Sequence, residues 1–168
     1  YTRPESMAAS TKRHPALVKA GVGCGASGTL TGFWSHAELD TGAYASWGPT
    51  VANRVPVHAP GPYVVPHAWT RGTAYFTNCP PSGAFRGFGV PQSAIASEAA
   101  MDELAGALGT DWLEFRRRNA LKAGDKTITG QVLEDSVGIV DTLDALEPYW
   151  RDWNKDAAAF NESSARVK

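Results

Sequence analysis

Hydrophobic positions recur at helical spacing along the second half of the chain, whereas residues 1–83 are rich in Gly, Pro, Thr, Val and Trp and read as strands and turns. Within that part Leu17–Val22 and Leu30–Leu39 read as strands. Between them, Gly23-Cys24-Gly25-Ala26-Ser27-Gly28 is dense in small residues that tolerate positive φ, which predicts a hairpin. Val64–Asn78 is a further extended segment, with Pro66 and Gly72 arguing against an unbroken central strand. The periodicity then changes. Pro91 suits a first helical turn, and Ala94, Met101, Leu104, Ala105 and Leu108 form one apolar face. Gly109 is placed to end that helix, and Asp111 with Glu114 forms a capping-box-like start for the next. Ile139, Leu143 and Leu146 mark a third helix that Pro148 is expected to break or restart. Trp150, Trp153, Ala157 and Phe160 suggest a short fourth.

These patterns predict an α+β fold in one domain over 1–168, with mixed or antiparallel strands followed by packed helices. Its parts are a strand-rich segment 1–83, a loop with helices over 84–160, and a polar tail 161–168. With 16 Lys+Arg against 17 Asp+Glu, charge makes no case for nucleic acid or an anionic membrane as partner. No apolar run reaches membrane-spanning length. Two cysteines, Cys24 and Cys79, are too few for an iron–sulfur cluster or a Cys₄ zinc site. The same count argues against a disulfide framework and points to a reducing, cytoplasmic setting. His14, His36, His58 and His67 show no metal-ligand spacing and are expected in structural or surface roles. Arg116-Arg117-Arg118 point in different directions on a helix, so they read as a cationic helix end rather than a phosphate trap. No Ser/His/Asp, Cys/His or paired-carboxylate arrangement stands out as a catalytic centre.

The segment richest in chemistry is Ser82-Gly83-Ala84-Phe85-Arg86-Gly87-Phe88-Gly89-Val90-Pro91-Gln92. Its glycines demand unusual backbone angles or a close approach. Its aromatics and arginine at a helix start suit a planar or anionic ligand. It is neither a dinucleotide fingerprint nor a P-loop. From spacing alone, a tight glycine turn with aromatics plugging the core is the competing reading. Arg86 then pairs with a carboxylate, Phe88 sits in the core, and Arg54 is a surface residue.

The run Gly83–Gln92 resembles the Ala-Phe-Arg-Gly-Phe/Tyr-Gly-x-Pro-Gln signature of the molybdenum hydroxylases, the xanthine dehydrogenase and aldehyde oxidoreductase family. The resemblance extends to Tyr1–Met7, Lys12–Pro15, Asp40–Tyr44, Ala99–Ala105, Gly109–Asn119, Gly124-Asp125 and Thr129–Gln131, in the family's order. Tyr1–Met7 and Thr129–Gln131 look closest to the Desulfovibrio-type aldehyde oxidoreductases. The resemblance implies a segment of the molybdopterin-binding domain. Ala84, Phe85, Arg86 and Gly87 would hold the cofactor, with the Arg86 backbone amide near the molybdenum ligands but not ligating the metal. Phe88 and Arg54 would line the substrate pocket. The substrate would be an aldehyde, or alternatively an N-heterocycle of purine or nicotinate type, hydroxylated with water-derived oxygen. A non-catalytic scaffold that keeps the fold without the metal is the reading from another class.

The family's general-base glutamate motif and its upstream glycine-rich cofactor contact have no match in this sequence. The resemblance therefore implies that this chain is a middle slice of the molybdenum subunit, with no catalytic group of its own. The remaining segments of that subunit would be partners, and the 2Fe–2S clusters and an FAD subunit or domain would lie elsewhere. The pterin is expected in its cytosine dinucleotide form.

Overall fold

The computed structural model describes residues 1–163. Three strands form one sheet in the order β1 (Ala16–Cys24), β2 (Leu30–Gly42), β3 (His67–Phe76). β1 and β2 are the expected hairpin: they pair antiparallel from Ala16↔Leu39 to Cys24↔Leu30, with an irregularity at Gly23/Cys24. The turn closes where the Gly25 N–H donates to the Thr29 carbonyl at 2.9 Å. β3 starts directly after Pro66 and pairs parallel with β2, from Gly32↔His67 to Asp40↔Tyr75. The sheet is therefore mixed, one of the two arrangements that the sequence reading leaves open. A parallel pair needs a crossover, and here it is a helix.

That helix corrects the reading of residues 1–83 as strands and turns. Two helices lie there: α1 (Arg3–Ala9) and α2 (Gly48–His58). α1 is held by a capping box, in which the Glu5 N–H donates to Thr2 Oγ1 and the Thr2 N–H to Glu5 Oε2. α2 carries Pro49 in its first turn and Pro56 inside. Proline in that first turn gives up no hydrogen bond. The helix places Val51, Ala52 and Val55 on one buried stripe.

α3 (Val90–Leu108) begins and ends where its proline and glycine predict. Gly109 terminates it at φ 65°. Its apolar face packs onto the sheet, with Met101 and Ala105 fully buried and Leu104 and Leu108 beside them. α4 (Trp112–Asn119) is capped by Asp111, whose carboxylate accepts from the Leu113 and Glu114 N–H groups. Only half of a capping box forms, because Glu114 turns to Arg117 instead.

The C-terminal reading needs a second correction. Ile139–Ser163 is one continuous helix, α5, running through Pro148 rather than breaking there. The lost N–H matters little on an exposed helix whose carbonyls water can reach. Arg117 ties down the turn before the proline, donating to Asp144 at 2.7 Å and Glu147 at 2.9 Å, and the Glu147–Arg151 pair spans it. The expected polar tail overlaps α5 up to Ser163, and 164–168 lie outside the described residues.

The core forms on one face of the sheet in two clusters. Leu30, Phe33, Tyr63, Met101 and Phe115 join β2 to α3 and α4. Ala37, Leu39, Val51, Ala52 and Val55 join β2 to α2. Each large side chain fully buried this way contributes about 1.5–3 kcal/mol. The opposite face carries Leu17, Trp34, Trp69 and Tyr75, all exposed.

Candidate functional site

The glycine-rich loop joins β3 to α3 by way of Thr77–Pro81, and its entry is tied to two neighbouring segments. The Ser82 N–H donates to the Thr41 carbonyl at 3.1 Å, and the Gly83 N–H to the Lys12 carbonyl at 3.0 Å. Ser82 and Gly83 are buried, whereas Ala84, Phe85, Arg86 and Gly87 are exposed.

The loop then coils tightly onto α3. The Phe88 N–H donates to the Phe85 carbonyl at 2.8 Å, and the Val90 N–H to the Gly87 carbonyl at 3.0 Å. Gly87, Phe88 and Gly89 lie in succession at φ 87°, 49° and 98°. A Cβ on Gly87 would stand 2.5 Å from Pro91 Cγ, and one on Gly89 would stand 2.8 Å from the Val51 carbonyl oxygen. Both glycines are therefore required by conformation and by space. Phe88 is a bulky residue at positive φ, an uncommon state that surrounding contacts must hold. Those contacts are visible: its half-buried ring packs against the Ala37–Val55 cluster. The same ring meets Trp47 edge-on, with centroids 5.9 Å apart.

The core-plug and pocket readings of Phe88 thus each describe part of it. One side of the ring is anchored in the α2 cluster. The rest stays open beside Trp47, which is 55% exposed at the head of α2. Arg54 stands on the same helix, exposed, next in sequence to Val55. It makes no ion pair or hydrogen bond among the described residues. The Arg86 side chain likewise has no carboxylate partner among them, contrary to the carboxylate-pairing alternative.

Sequence reasoning assigned no role to two residues the structure brings here. Trp47 is one; its signal was only its place before Gly48-Pro49. Arg13 is the other. Its Nη2 donates to the Arg86 carbonyl at 2.6 Å, its Nη1 to Gln92 Oε1 at 3.4 Å, and its guanidinium carbon lies 4.9 Å from the centre of the Phe85 ring. Beside it, His14 is buried, with Nε2 3.3 Å from Thr41 Oγ1. Burial holds its pKa below the ordinary histidine value, and the nearby Asp40 carboxylate opposes that shift. Among the described residues, no group of three His, Cys, Asp or Glu side chains converges as a metal site.

The Arg116–Arg118 run is structural, as its helical spacing predicts. Arg116 pairs with Glu98 at 2.7 Å and Asp102 at 2.8 Å, and Arg117 with Glu114, Asp144 and Glu147. The Arg118 guanidinium donates to the Ser27 carbonyl.

The loop fits the cofactor that the sequence resemblance implies. Among the described residues, the N–H groups of Ala84, Phe85, Arg86 and Gly87 donate to no acceptor. Four unused donors on an exposed, glycine-shaped loop, flanked by uncommitted guanidinium groups, suit the anionic oxygens and sulfurs of a pterin cofactor.

The sequence profile of the molybdopterin cofactor-binding domain matches residues 1–120. The nicotinate dehydrogenase large molybdopterin subunit of Eubacterium barkeri is 48% identical over 143 residues, which cover 85% of this chain and 34% of that protein. The aldehyde oxidoreductase of Megalodesulfovibrio gigas is 34% identical over 151 residues, covering 90% and 16% respectively. Among solved structures, the aldehyde oxidoreductase from Desulfovibrio gigas superposes with a TM-score of 0.90 at 33% identity, covering 98% of this chain and 18% of that one. Quinoline 2-oxidoreductase from Pseudomonas putida 86 gives 0.78 at 27% identity, covering 89% and 20%. The chain thus spans about a third or less of the proteins it matches. No described helix is long and apolar enough to cross a membrane.

Proposed function

Because the chain belongs to the molybdopterin cofactor-binding domain family of the molybdenum hydroxylases, we propose that it forms one wall of the molybdenum site in an oxidoreductase that converts aldehydes to carboxylic acids. The observation that carries this reading is the exposed run of unused N–H donors at Ala84–Gly87, locked by three consecutive residues at positive φ. When bound, the molybdenum cofactor supplies the two-electron oxidation and the transfer of an oxygen drawn from water.

This chain's residues bind and orient. The Arg86 N–H would hold an anionic group of the cofactor, and a preorganised donor of this kind stabilises charge that develops during the reaction. Ala84, Phe85 and Gly87 complete that contact. Phe88 and Trp47 present an aromatic edge and face against which a flat substrate aligns. The Arg54 guanidinium steadies a substrate oxygen carrying negative charge. The general-base glutamate comes from another segment of the assembly, as do the 2Fe–2S clusters and any FAD. The pterin is read as the cytosine dinucleotide form on the family resemblance, and the setting as cytoplasmic on the two free cysteines.

A second reading, hydroxylation of an N-heterocycle, is favoured by two observations. The 48% identity to a nicotinate dehydrogenase subunit exceeds the 34% to an aldehyde oxidoreductase. An uncommitted Arg54 on the helix beneath Phe88 also suits a planar substrate with an anionic oxygen.

The test purifies this chain with the polypeptides that accompany it. Molybdenum and released pterin nucleotide are measured, then turnover of benzaldehyde and of nicotinate in ¹⁸O-labelled water. Molybdenum with label in benzoate supports the first reading, and label in hydroxylated nicotinate supports the second. An assembly that folds without molybdenum and incorporates no label is a scaffold, and both readings fail.

A further inference from the structure

The segment Lys12–Pro15 runs beside the loop before entering β1, and the two are laced together. Lys12 forms an isolated parallel bridge with Ser82, and Gln92 Nε2 donates to the His14 carbonyl at 3.3 Å. Arg13 therefore has its backbone fixed on both sides. From that base its half-buried side chain reaches the far side of the loop. The guanidinium holds the Arg86 carbonyl at 2.6 Å, touches Gln92 Oε1 on the first turn of α3, and lies over the Phe85 ring.

These contacts fix one peptide plane. In a trans peptide the carbonyl and the following N–H point in opposite directions. Tethering the Arg86 carbonyl to Arg13 therefore turns the Gly87 N–H away from Arg13, where it meets no acceptor among the described residues. Gly87 at φ 87° has no side chain to resist rotation of that plane, so the loop's own sequence does not set its direction. A guanidinium can do so: it stays charged across the working pH range, donates through a planar fork, and stacks on an aromatic ring.

We propose that Arg13 is a positioning residue that orients the Arg86–Gly87 peptide, so that this stretch of loop presents its N–H groups to the cofactor. The role rests on the reading of the loop as a cofactor site. It differs from a fold-stabilising role in its target, since Arg13 holds a loop carbonyl and a loop ring rather than the core. A lysine does not replace it, because an ammonium offers neither the fork nor the stacking plane.

The test uses the complete assembly and compares Arg13→Ala, Arg13→Lys and Phe85→Leu with the unsubstituted protein. Four readouts are molybdenum per subunit, hydrogen exchange of the peptide spanning 84–91, the kcat and KM split, and recovery with added guanidinium. Losing one charge-assisted hydrogen bond corresponds to about a tenfold change. Arg13→Ala and Arg13→Lys are therefore expected to exchange the Phe88 and Val90 amides, the hydrogen-bonded ones of that peptide, about tenfold faster and to lose molybdenum. In the fraction that stays loaded, kcat falls and KM holds. Guanidinium restores loop protection in Arg13→Ala and not in Arg13→Lys. Phe85→Leu, which removes only the stacking partner, shifts exchange in the same direction by less. Exchange and molybdenum at unsubstituted levels in Arg13→Ala overturn the proposal. So does a loss in which the whole chain exchanges faster and guanidinium restores nothing, which marks a general folding role. An unsubstituted assembly without molybdopterin removes the underlying reading as well, and that result is visible before any variant is made.

Discussion

Replacing Gly87 with valine tests whether the site works through backbone conformation or through the arginine beside it. The new Cβ would stand 2.5 and 2.6 Å from Pro91 Cγ and Cδ, closer than real Cβ contacts come. Pro91 cannot swing aside, because its ring is fused to the backbone of the first turn of α3. The residue must also hold φ 87°, which costs a β-branched side chain on the order of 1–3 kcal/mol. Overpacking adds roughly 1–3 kcal/mol where neighbours cannot move. Together these reach about 2–6 kcal/mol, enough to depopulate the loop conformation by thirtyfold or more. The loop is exposed, so this energy is relieved by moving 84–89 rather than by unfolding the domain. Arg86→Ala keeps its N–H and removes a side chain with no carboxylate partner among the described residues. In the assembled subunit, Gly87→Val is expected to lose most of its molybdenum with a small change in Tm, while Arg86→Ala keeps most of it. Metal analysis of the two variants side by side is the assay. Loss of molybdenum in Arg86→Ala with retention in Gly87→Val would falsify the backbone argument.

Phe88→Ala is expected to raise KM for flat aromatic substrates several-fold and to leave molybdenum near the unsubstituted level, since its ring meets Trp47 and the α2 cluster; unchanged kinetics across several substrates would make Phe88 purely structural. Stability of the assembled subunit should fall as pH drops below about 6.5, because burial depresses the His14 pKa and the unfolded chain then binds the extra proton. His14→Gln should flatten that part of a Tm-against-pH curve, and an identical slope in both proteins refutes the assignment. Expressed alone, residues 1–168 should bind no molybdenum cofactor, because they supply one wall of the site. The exposed Trp34, Trp69 and Tyr75 on one sheet face should also make the isolated chain prone to association in light scattering; a monodisperse chain with bound molybdenum contradicts this.

The elements legible in the sequence were those whose signals are local. Pro91 and Gly109 bracket α3, and Asp111 caps α4, because each acts within a turn of its own position. The hairpin was legible from its glycine cluster. α2 was not: Gly48, Pro49 and Pro56 are poor helix residues, and its stability comes from Val51, Ala52 and Val55 packing on β2, which is tertiary information. Missing α2 also hid the parallel pairing of β2 with β3. α5 was read as broken because Pro148 was judged without the Glu147–Arg151 pair that spans it and without Arg117 of α4, which holds Asp144 and Glu147 just before it. The apolar side of α3 was legible as a face but not as to its partner; β1 and β2 of the same chain cover it. At the site, the loop's composition announced unusual backbone angles. Nothing local placed Arg13 over Phe85 or Trp47 against Phe88, since both contacts depend on how the sheet and α2 bring distant segments together.

The arginines divide the molecule by chemistry. Arg116 and Arg117 hold carboxylates across helices, where they tie α3, α4 and α5, and Arg151 holds Glu147 within α5. Among the described residues Arg3, Arg13, Arg54, Arg71, Arg86 and Arg118 hold none, and of these Arg13, Arg54 and Arg86 belong to the loop or to the two segments packed against it, Lys12–Pro15 and α2. The Arg54 and Arg86 side chains have no partner among the described residues, so an anion that binds at the loop meets guanidinium groups no carboxylate has neutralised. Arg13 shows the division inside a single cluster: its guanidinium is spent on a carbonyl and a ring, which leaves the loop's N–H groups and the Arg86 and Arg54 side chains without acidic neighbours. Placing a carboxylate there tests the point directly. Val57→Glu, on the exposed side of α2 one turn after Arg54, would give that arginine a partner. An i, i+3 pair contributes only about 0.2–0.5 kcal/mol, so the fold should be unaffected. Affinity for an anionic substrate should nonetheless fall measurably below that of the unsubstituted protein at low salt, and the gap should narrow as salt rises, because salt screens the new pair and the substrate's attraction to Arg54 alike. A KM that ignores both the substitution and the salt concentration would show that Arg54 takes no part in substrate binding.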